Sequence, residues 1–192
     1  MTRFHDFLID SETSGLLGWN RKSVDLEVKV LEASNWGELK QKIGRERNSN
    51  HLIVYRPENN ELAVKAAEDP RIDIIIHTLS QPVNHVMAER ASKNSVQVAF
   101  SLKQLHRSEV KYKVLKAWRD SIKILEKSGA GYLITNEAIE TGDIRPPGDL
   151  KALISELGGD GEKAVSENPS KIFEKALKRE STSFVRPGVE KE

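Results

Sequence analysis

The stretch VQVAFSLKQLHRSEVKYKVLKAWRDSIKILEKSG, residues 96–129, contains the strand and the helix around which we expect the fold to be built. Residues 96–100 are apolar, with β-branched and aromatic side chains, which is typical of a buried strand. Residues 108–127 have the spacing of an amphipathic helix. Its apolar residues recur at steps of four, four, four and three, which places them on one face: Val110, Val114, Trp118, Ile122 and Leu125. Ser108 suits the N-cap, and Gly129 suits the left-handed residue after the last turn.

The opposite face of this helix, and the segment before it, are basic. We expect residues 101–107 to form a loop that contains Lys103, His106 and Arg107. Further cations follow along the helix: Lys111, Lys113, Lys116, Arg119, Lys123 and Lys127. A solvated surface is one interpretation. The other is a surface for a polyanion, and two observations favour it: few carboxylates are spaced to neutralise the cations, and Arg107 follows a strand end, where α/β sites cluster.

Composition limits the class of protein. A chain of 192 residues is long enough for one domain with a large core. The net charge of +1 means that a nucleic-acid partner would be bound by a local patch and not by overall charge. No apolar run approaches the roughly 20 residues that span a bilayer, and the N-terminus lacks the features of a signal peptide. The absence of cysteine excludes thiolate metal sites and fits the cytoplasm, where we expect the chain to act.

Strands and helices alternate along the chain. We predict about six strands, in residues 4–9, 24–30, 52–55, 72–76, 96–100 and 132–135. Helices are predicted near 35–43 and in 57–68, 82–93, 108–127, 147–157, 162–165 and 169–177. This order implies an α/β fold with parallel strands, either a doubly wound sheet or a small, incompletely closed barrel. We expect one domain over residues 1–177 and a flexible tail over 178–192.

The usual catalytic and nucleotide-binding signatures are absent. There is no G-x-G-x-x-G, Walker loop, H-x-H, H-E-x-x-H or G-x-S-x-G. His77 follows a predicted strand, where active sites lie in α/β proteins, but a hydrogen-bonded histidine at the rim of the sheet is the commoner explanation. Asp6 and Asp10 flank the first predicted strand end; they suggest the remnant of a metal site or, more simply, local caps.

Five runs, taken in order, resemble a known family. They are VYRPENNELAVKAAEDPRIDIIIH (54–77), NHVMAERASKNSVQVAFSLKQLHR (84–107), KVLKAWRDSIKI (113–124), DIRPPGDL (143–150) and AVSENPSKIF (164–173). Together they are similar to protein component 3 of archaeal ribonuclease P, which is related to the thirty-kilodalton subunit of the eukaryotic enzyme. Residues 10–22 depart from the family pattern, because they are too short for the helix that usually follows the first strand.

The resemblance implies a TIM-like (β/α) barrel, related to the polymerase and histidinol phosphatase metallo-hydrolases and not necessarily closed. It implies a subunit of the ribonucleoprotein that removes the 5′ leader from precursor tRNA. In that family the RNA carries the catalytic Mg²⁺, so we expect no catalytic residue, metal or cofactor on this chain. The implied partners are ribonuclease P RNA, a Pop5-type protein subunit, the other ribonuclease P proteins and, indirectly, precursor tRNA; no membrane is involved.

Three functions remain to be compared. The first is a non-catalytic RNA-binding subunit, the second a metal-dependent phosphoesterase on the same barrel, and the third a protein–protein scaffold in the same particle. The phosphoesterase would need a cluster of histidines and carboxylates, and its leading H-x-H is missing. For the RNA-binding subunit we predict contacts from six cations: Arg90, Arg107, Lys111, Lys123, Arg145 and Lys171.

Overall fold

The computed structural model describes residues 5–8, 19, 27–47, 52–79, 82–137, 141–180, 184–186 and 189–190. The strands are β1 (Val28–Leu31), β2 (Leu52–Tyr55), β3 (Ile74–Ile76), β4 (Gln97–Ser101), β5 (Tyr132–Thr135), β6 (Phe184–Arg186) and β7 (Val189–Glu190). The α-helices are α1 (Trp36–Arg47), α2 (Asn60–Ala67), α3 (His85–Asn94), α4 (Leu102–Arg107), α5 (Lys111–Ser128), α6 (Pro147–Glu156) and α7 (Asn168–Glu180). A 3₁₀ turn covers Thr141–Asp143, and a π-helical segment, Lys163–Glu167, leads into α7.

Strands β1 to β5 form one parallel sheet in the order β1-β2-β3-β4-β5. Each strand is added beside the one before it, as Val54 pairs with Ile74 and Ile75 with Val98. The order never reverses in this sheet, so it has no switch point of the doubly wound kind. The successive order is that of consecutive strands in a TIM-like barrel, and the described sheet is open. The predicted α/β class, parallel pairing and outer helices are confirmed.

The two faces of the sheet are covered by different parts of the chain. The outer face, with Tyr55, Ile75 and Phe100, packs against apolar residues of α1, α2, α3, α5 and α6. The inner face packs against Ile172 and Ala176 of α7 and against Phe7. The strand residues on this inner face are Leu52, Val54, Ile74, Ile76, Ala99 and Leu133. Because both faces are covered, every residue of β2, β3, β4 and β5 is buried, whereas the edge strand β1 contains Lys29 and an exposed Val30.

An ion cluster fastens α7 to the sheet. Asp73, which is 1% exposed, lies just before β3. Its carboxylate accepts hydrogen bonds from Arg179 Nη2 at 2.9 Å and from the backbone N–H of Ile53 at 3.0 Å. Arg47 Nη2 lies 3.1 Å from the same carboxylate, and Lys175 Nζ lies 3.8 Å away. The cluster therefore joins the ends of α1 and α7 at the edge where the strands begin.

The stretch 96–129 folds as a strand and a helix, with two corrections. The predicted loop 101–107 is mostly the short helix α4, since its apolar Leu102 is buried and Leu105 packs on the core. The long helix begins at Lys111, not Ser108. Ser108 has an extended backbone, and its hydroxyl accepts a hydrogen bond from the N–H of Val110. The side chain of Val110 is 46% exposed, so its assignment to the apolar face of the helix was wrong. The left-handed Gly129 is confirmed, at φ 66°.

The first third of the chain departs from prediction. Residues 5–8 form a turn where part of a strand was expected, and the rest of 4–9, Asp10 and most of the predicted loop 10–22 lie outside the described residues. The helix predicted near residues 35–43 is present as α1 and begins with a capping box: Asn35 Oδ1 accepts from the N–H of Glu38, while the Glu38 carboxylate accepts from the N–H of Ser34. That reciprocal bonding satisfies donors of the first turn that have no helical partner.

Later corrections concern helix ends. Helix α3, predicted over residues 82–93, begins at His85 with Asn84 as N-cap, and its Val86 is 50% exposed. The helices predicted over 162–165 and 169–177 are continuous, because the π-helical segment leads directly into α7. Asn168, at the junction, has helical dihedral angles, and its side chain donates to the Tyr132 carbonyl. Helix α7 extends to Glu180, and β6 and β7 pair as antiparallel strands within the predicted tail.

No helix within the described ranges is long and apolar enough to cross a membrane.

Candidate nucleic-acid interface

The core fixes helices α4 and α5 against each other. The predicted residues Val114, Trp118, Ile122 and Leu125 are fully buried on one face of α5. Trp118 also reaches α4, because its Nε1 lies 3.5 Å from Gln104 Oε1. The opposite face of α5 is thereby held in a fixed orientation toward solvent.

That exposed face is basic. Six cations of α5 are exposed, against two exposed carboxylates, Asp120 and Glu126. We call Arg107 and the following residues the α4–α5 basic surface: Lys111, Lys113, Lys116, Arg119, Lys123 and Lys127. Lys116 pairs with Asp120 at 2.8 Å. Arg107, Lys111 and Lys123 form no salt bridge with any residue in the described part of the chain, so their charge is available to a ligand.

Tyr112 adds an aromatic ring to this surface. Its side chain is 71% exposed, the most of any large hydrophobic residue in the described part of the chain, and it stands between Lys111 and Lys113. An exposed ring among cations is the arrangement on which single-stranded nucleic acids stack their bases. Sequence reasoning missed this residue, although its place off the apolar face of α5 was visible in the spacing.

A groove of about 540 Å³ lies at the carboxyl ends of the strands, and we call it the carboxyl-edge groove. Glu137 is its central acid: it pairs with Arg56, accepts from the Ser101 hydroxyl and lies 3.8 Å from Lys103. Arg107 also lines the groove. Since Arg56 and Lys103 both face Glu137, Arg107 is the groove's cation without a carboxylate partner among the described residues.

Asp6 holds the loop after β5. Its carboxylate accepts from the Thr135 hydroxyl, from the backbone N–H of Asn136 at 2.7 Å and from the Asn136 side chain at 3.0 Å. Burial raises the pKa of Asp6 above its usual value, and these hydrogen bonds oppose that rise. Asp6 therefore serves as a local anchor. Within the described ranges, no group of three His, Asp or Glu side chains could hold a metal ion.

His77 is a structural residue of the core. It is 2% exposed, its Nε2 lies 3.1 Å from Ser121 Oγ, and its ring centroid lies 5.2 Å from that of Phe100. Burial lowers the pKa of His77 to about 4, so the ring is neutral near pH 7. The expected hydrogen bond is present, but the ring lies in the core and not at the rim of the sheet. Among the described residues, His77 belongs to no group of three side chains that could hold a metal ion.

The six predicted contact residues do not form one surface. Arg107, Lys111 and Lys123 belong to the α4–α5 basic surface. Arg145 is exposed in the loop after β5, and its backbone N–H donates to Asn136 Oδ1 at 2.7 Å. Arg90, on α3, pairs with Glu68 at 2.7 Å. Lys171 lies on α7 and lines a different cavity, where the strands begin.

Comparison with known proteins fixes the family. The family model described as RNase P subunit p30 matches residues 28–181. The chain belongs to that family. Ribonuclease P protein component 3 of Methanococcoides burtonii is 31% identical over 168 residues, which is 83% of this chain and 69% of the relative. The protein of the same name from Methanothermobacter thermautotrophicus is 26% identical over 184 residues, covering 90% of this chain and 74% of the relative.

A solved structure has the same fold. A chain in a cryo-EM structure of archaeal ribonuclease P with mature tRNA superimposes with a TM-score of 0.74 at 24% identity. The match covers 85% of this chain and 73% of that chain. The family assignment agrees with the predicted function as a ribonuclease P subunit. It gives no support to the alternative function as a metal-dependent phosphoesterase.

Proposed function

We propose that this chain is a non-catalytic, RNA-binding subunit of ribonuclease P that supports removal of the 5′ leader from precursor tRNA. The observation that carries the proposal is the α4–α5 basic surface, on which six exposed cations of one helix face solvent against two carboxylates. Phosphate neutralisation supplies most of the sequence-independent affinity of proteins for nucleic acids. A local concentration of cations therefore gives a nearly neutral chain its RNA site.

Arg107, Lys111 and Lys123 are the proposed backbone contacts at the centre of this site. The guanidinium of Arg107 can hold a phosphate through two parallel hydrogen bonds, whereas each lysine acts as a point charge. Lys111 and Lys123 are twelve residues apart on one helix, about 18 Å at 1.5 Å per residue. That length suits several successive phosphates. Arg145, Arg90 and Lys171 are proposed as additional contacts, Arg90 after release from Glu68.

The proposal includes partners that supply what this chain lacks. The relatives are named as protein components of ribonuclease P, and the solved neighbour is part of that enzyme with mature tRNA. We infer that this chain assembles with ribonuclease P RNA, with a Pop5-type subunit and with the other ribonuclease P proteins, in the cytoplasm. The catalytic Mg²⁺ would be held by the RNA, while this chain positions the RNA backbone.

The test is a triple variant, Arg107→Ala with Lys111→Ala and Lys123→Ala, assembled with the partner subunit and the RNA. A matched control replaces one exposed arginine and two exposed lysines elsewhere: Lys40, Arg45 and Lys93. Each lost phosphate contact should reduce the log–log salt slope of RNA binding by about 0.7 to 0.9. The triple variant should therefore lose up to about 2 to 3 from this slope, and the control should lose almost nothing.

Stability separates a binding defect from a folding defect. Surface substitutions usually change the free energy of unfolding by less than about 0.5 kcal/mol, so both variants should unfold like the wild type in urea. If the triple variant folds, assembles and retains the wild-type salt slope and cleavage rate, the α4–α5 basic surface is not the RNA site.

A further inference from the structure

A second cavity, of about 470 Å³, lies where strands β4 and β5 begin, at the opposite end of the sheet from the carboxyl-edge groove. We call it the amino-edge pocket. Its charged and amide residues are Gln97, Glu126, Lys163, Asn168, Lys171 and Lys175, and the carboxylate of Glu126 accepts a hydrogen bond from the Tyr132 hydroxyl. Lys163 already pairs with Asp160 at 3.2 Å, so Lys171 and Lys175 are the cations that a ligand would meet. The volume lies within the roughly 300–1,000 Å³ of small-molecule sites.

The side-chain oxygen of Gln97 is a buried acceptor that receives no hydrogen bond from the described residues. The residue is 7% exposed, and its Nε2 donates to the Asn168 carbonyl at 3.2 Å. That bond fixes which end of the amide is the oxygen. Oε1 lies 2.9 Å from the place that a Cβ of residue 131 would occupy, so Gly131 makes the room for this side chain. Within the described part of the chain, Oε1 has no hydrogen-bond partner.

Lys175, which lines the same pocket, has a buried donor. Its Nζ is buried and makes no hydrogen bond to any described residue, and the nearest carboxylate, that of Asp73, is 3.8 Å away. Asp73 is already engaged by Arg47 and Arg179, so three cations surround one carboxylate. Burial lowers the pKa of Lys175, and the neighbouring guanidinium groups add to that effect. An anion beside Nζ would satisfy the ammonium and balance the local charge.

We propose that the amino-edge pocket binds a phosphorylated ribose, with the phosphate at Lys171 and Lys175 and a sugar hydroxyl donating to Gln97 Oε1. A phosphate alone would satisfy the ammonium groups and leave the acceptor unpaired, which has a cost in a buried site. A sugar phosphate supplies the anion and the donor together. The pocket contains no residue of the α4–α5 basic surface and shares only Lys171 with the RNA contacts proposed above, so its test does not depend on that surface.

The experiment uses the full chain, ribose 5-phosphate as the probe and methyl phosphate as its counterpart without hydroxyls. Affinities are measured by calorimetry, and the site is located from shifts of the backbone amide signals of Ala130 and Gly131. We expect ribose 5-phosphate to shift those signals and to bind at least about tenfold more tightly than methyl phosphate, a factor equal to one good hydrogen bond. A 5′-phosphorylated trinucleotide of RNA is then added as competitor. If the trinucleotide displaces ribose 5-phosphate, the natural ligand of the pocket is the phosphorylated end of an RNA strand. If ribose 5-phosphate stays bound, the natural ligand is a free sugar phosphate.

Two variants make the test specific. Lys175→Met keeps the aliphatic stem and should weaken ribose 5-phosphate at least about tenfold, without lowering the Tm of the unliganded chain, because one of three crowded cations is removed. Gln97→Met should bring the two probes to equal affinity. The matched control, Lys40→Met on the exposed face of α1, should bind as the wild type does. Absence of amide shifts at millimolar ribose 5-phosphate would overturn the proposal, and so would wild-type affinity in Lys175→Met.

Discussion

The Nε2 atom of His77 lies 3.1 Å from the Oγ atom of Ser121, and both side chains are buried between β3 and α5. The imidazole ring therefore occupies an apolar position in which its charged form is disfavoured. An unfolded histidine has a pKa near 6.5, whereas burial lowers the pKa of His77 to about 4. The stability associated with the neutral ring is complete above about pH 6.5 and is lost as the pH falls toward 4.

We predict that acidification from pH 7 to pH 4 lowers the free energy of unfolding through His77 by up to about 3 kcal/mol. The measurement is urea denaturation at several pH values for the wild type and for His77→Gln. His85→Gln, at an exposed position on α3, is the matched control. The free energy of unfolding of His77→Gln should change less with pH than that of the wild type or of His85→Gln. A profile parallel to that of the wild type would contradict the role of His77.

The ion cluster around Asp73 predicts a second stability effect. Asp73→Asn removes the buried carboxylate that the partly buried Arg47 and Arg179 share, so both guanidinium groups lose this ion pair. We expect a loss of about 3–5 kcal/mol, as is found when one partner of a buried pair is removed. Asp120→Asn is the control, because its pair with Lys116 is exposed and such pairs contribute about 0–1 kcal/mol. Equal urea midpoints for the two variants would show that the cluster does not hold α7.

Gly161 predicts a packing effect that depends on backbone contact. A Cβ at this position would lie 2.3 Å from the carbonyl oxygen of Lys151 in α6, so one of the two segments must shift. We expect Gly161→Ala to destabilise the chain by about 1–3 kcal/mol in urea denaturation. Gly148→Ala is the control. No atom of a neighbouring described residue lies within 4 Å of the place that its Cβ would take, and the position is helical, so alanine should be neutral or stabilising by up to about 1 kcal/mol. A neutral Gly161→Ala would mean that α6 moves freely here.

The purified chain should not hydrolyse phosphodiesters on its own. Among the described residues, no three His, Asp or Glu side chains are grouped as a metal site would require. The assay uses a chromogenic phosphodiester and precursor tRNA, each with Mg²⁺, Mn²⁺ and Zn²⁺, and asks whether any turnover follows the protein through purification. Turnover that co-purifies with the chain and disappears in His77→Ala would revive the phosphoesterase.

The parts of the fold that could be predicted are those decided by local periodicity. The steps between Val114, Trp118, Ile122 and Leu125 give the buried face of α5 directly, and all four are fully buried. Residues 132–135 form the predicted strand, because an apolar run of this length, with the β-branched Ile134 and Thr135, is too short for a helix. The basic face of α5 followed from the same spacing, since the side opposite the apolar stripe faces solvent.

The missed features depend on contacts between distant residues. Gln97 is an ordinary polar residue in the sequence, and only the closeness of Gly131 and Asn168 leaves its oxygen buried and unpaired. Likewise, the link from Glu137 to Arg56 spans 81 residues. The short helix α4 was missed for a different reason: six residues are too few to show a period, and packing of Leu102 and Leu105 decides its conformation.

Helix α7 covers the inner face of the sheet, but the ribosome synthesises it well after the strands that it covers. Asp73 and its partner Arg179 are separated by 106 residues, a distance that translation at about 5–20 residues per second crosses in roughly 5 to 20 s. During that interval Ile74 and Ile76 have left or are leaving the ribosome, while the helix that covers them does not yet exist. Exposed apolar strands of this kind are substrates for chaperones and are prone to aggregation. We therefore expect the nascent chain to need protection until residue 179 has emerged.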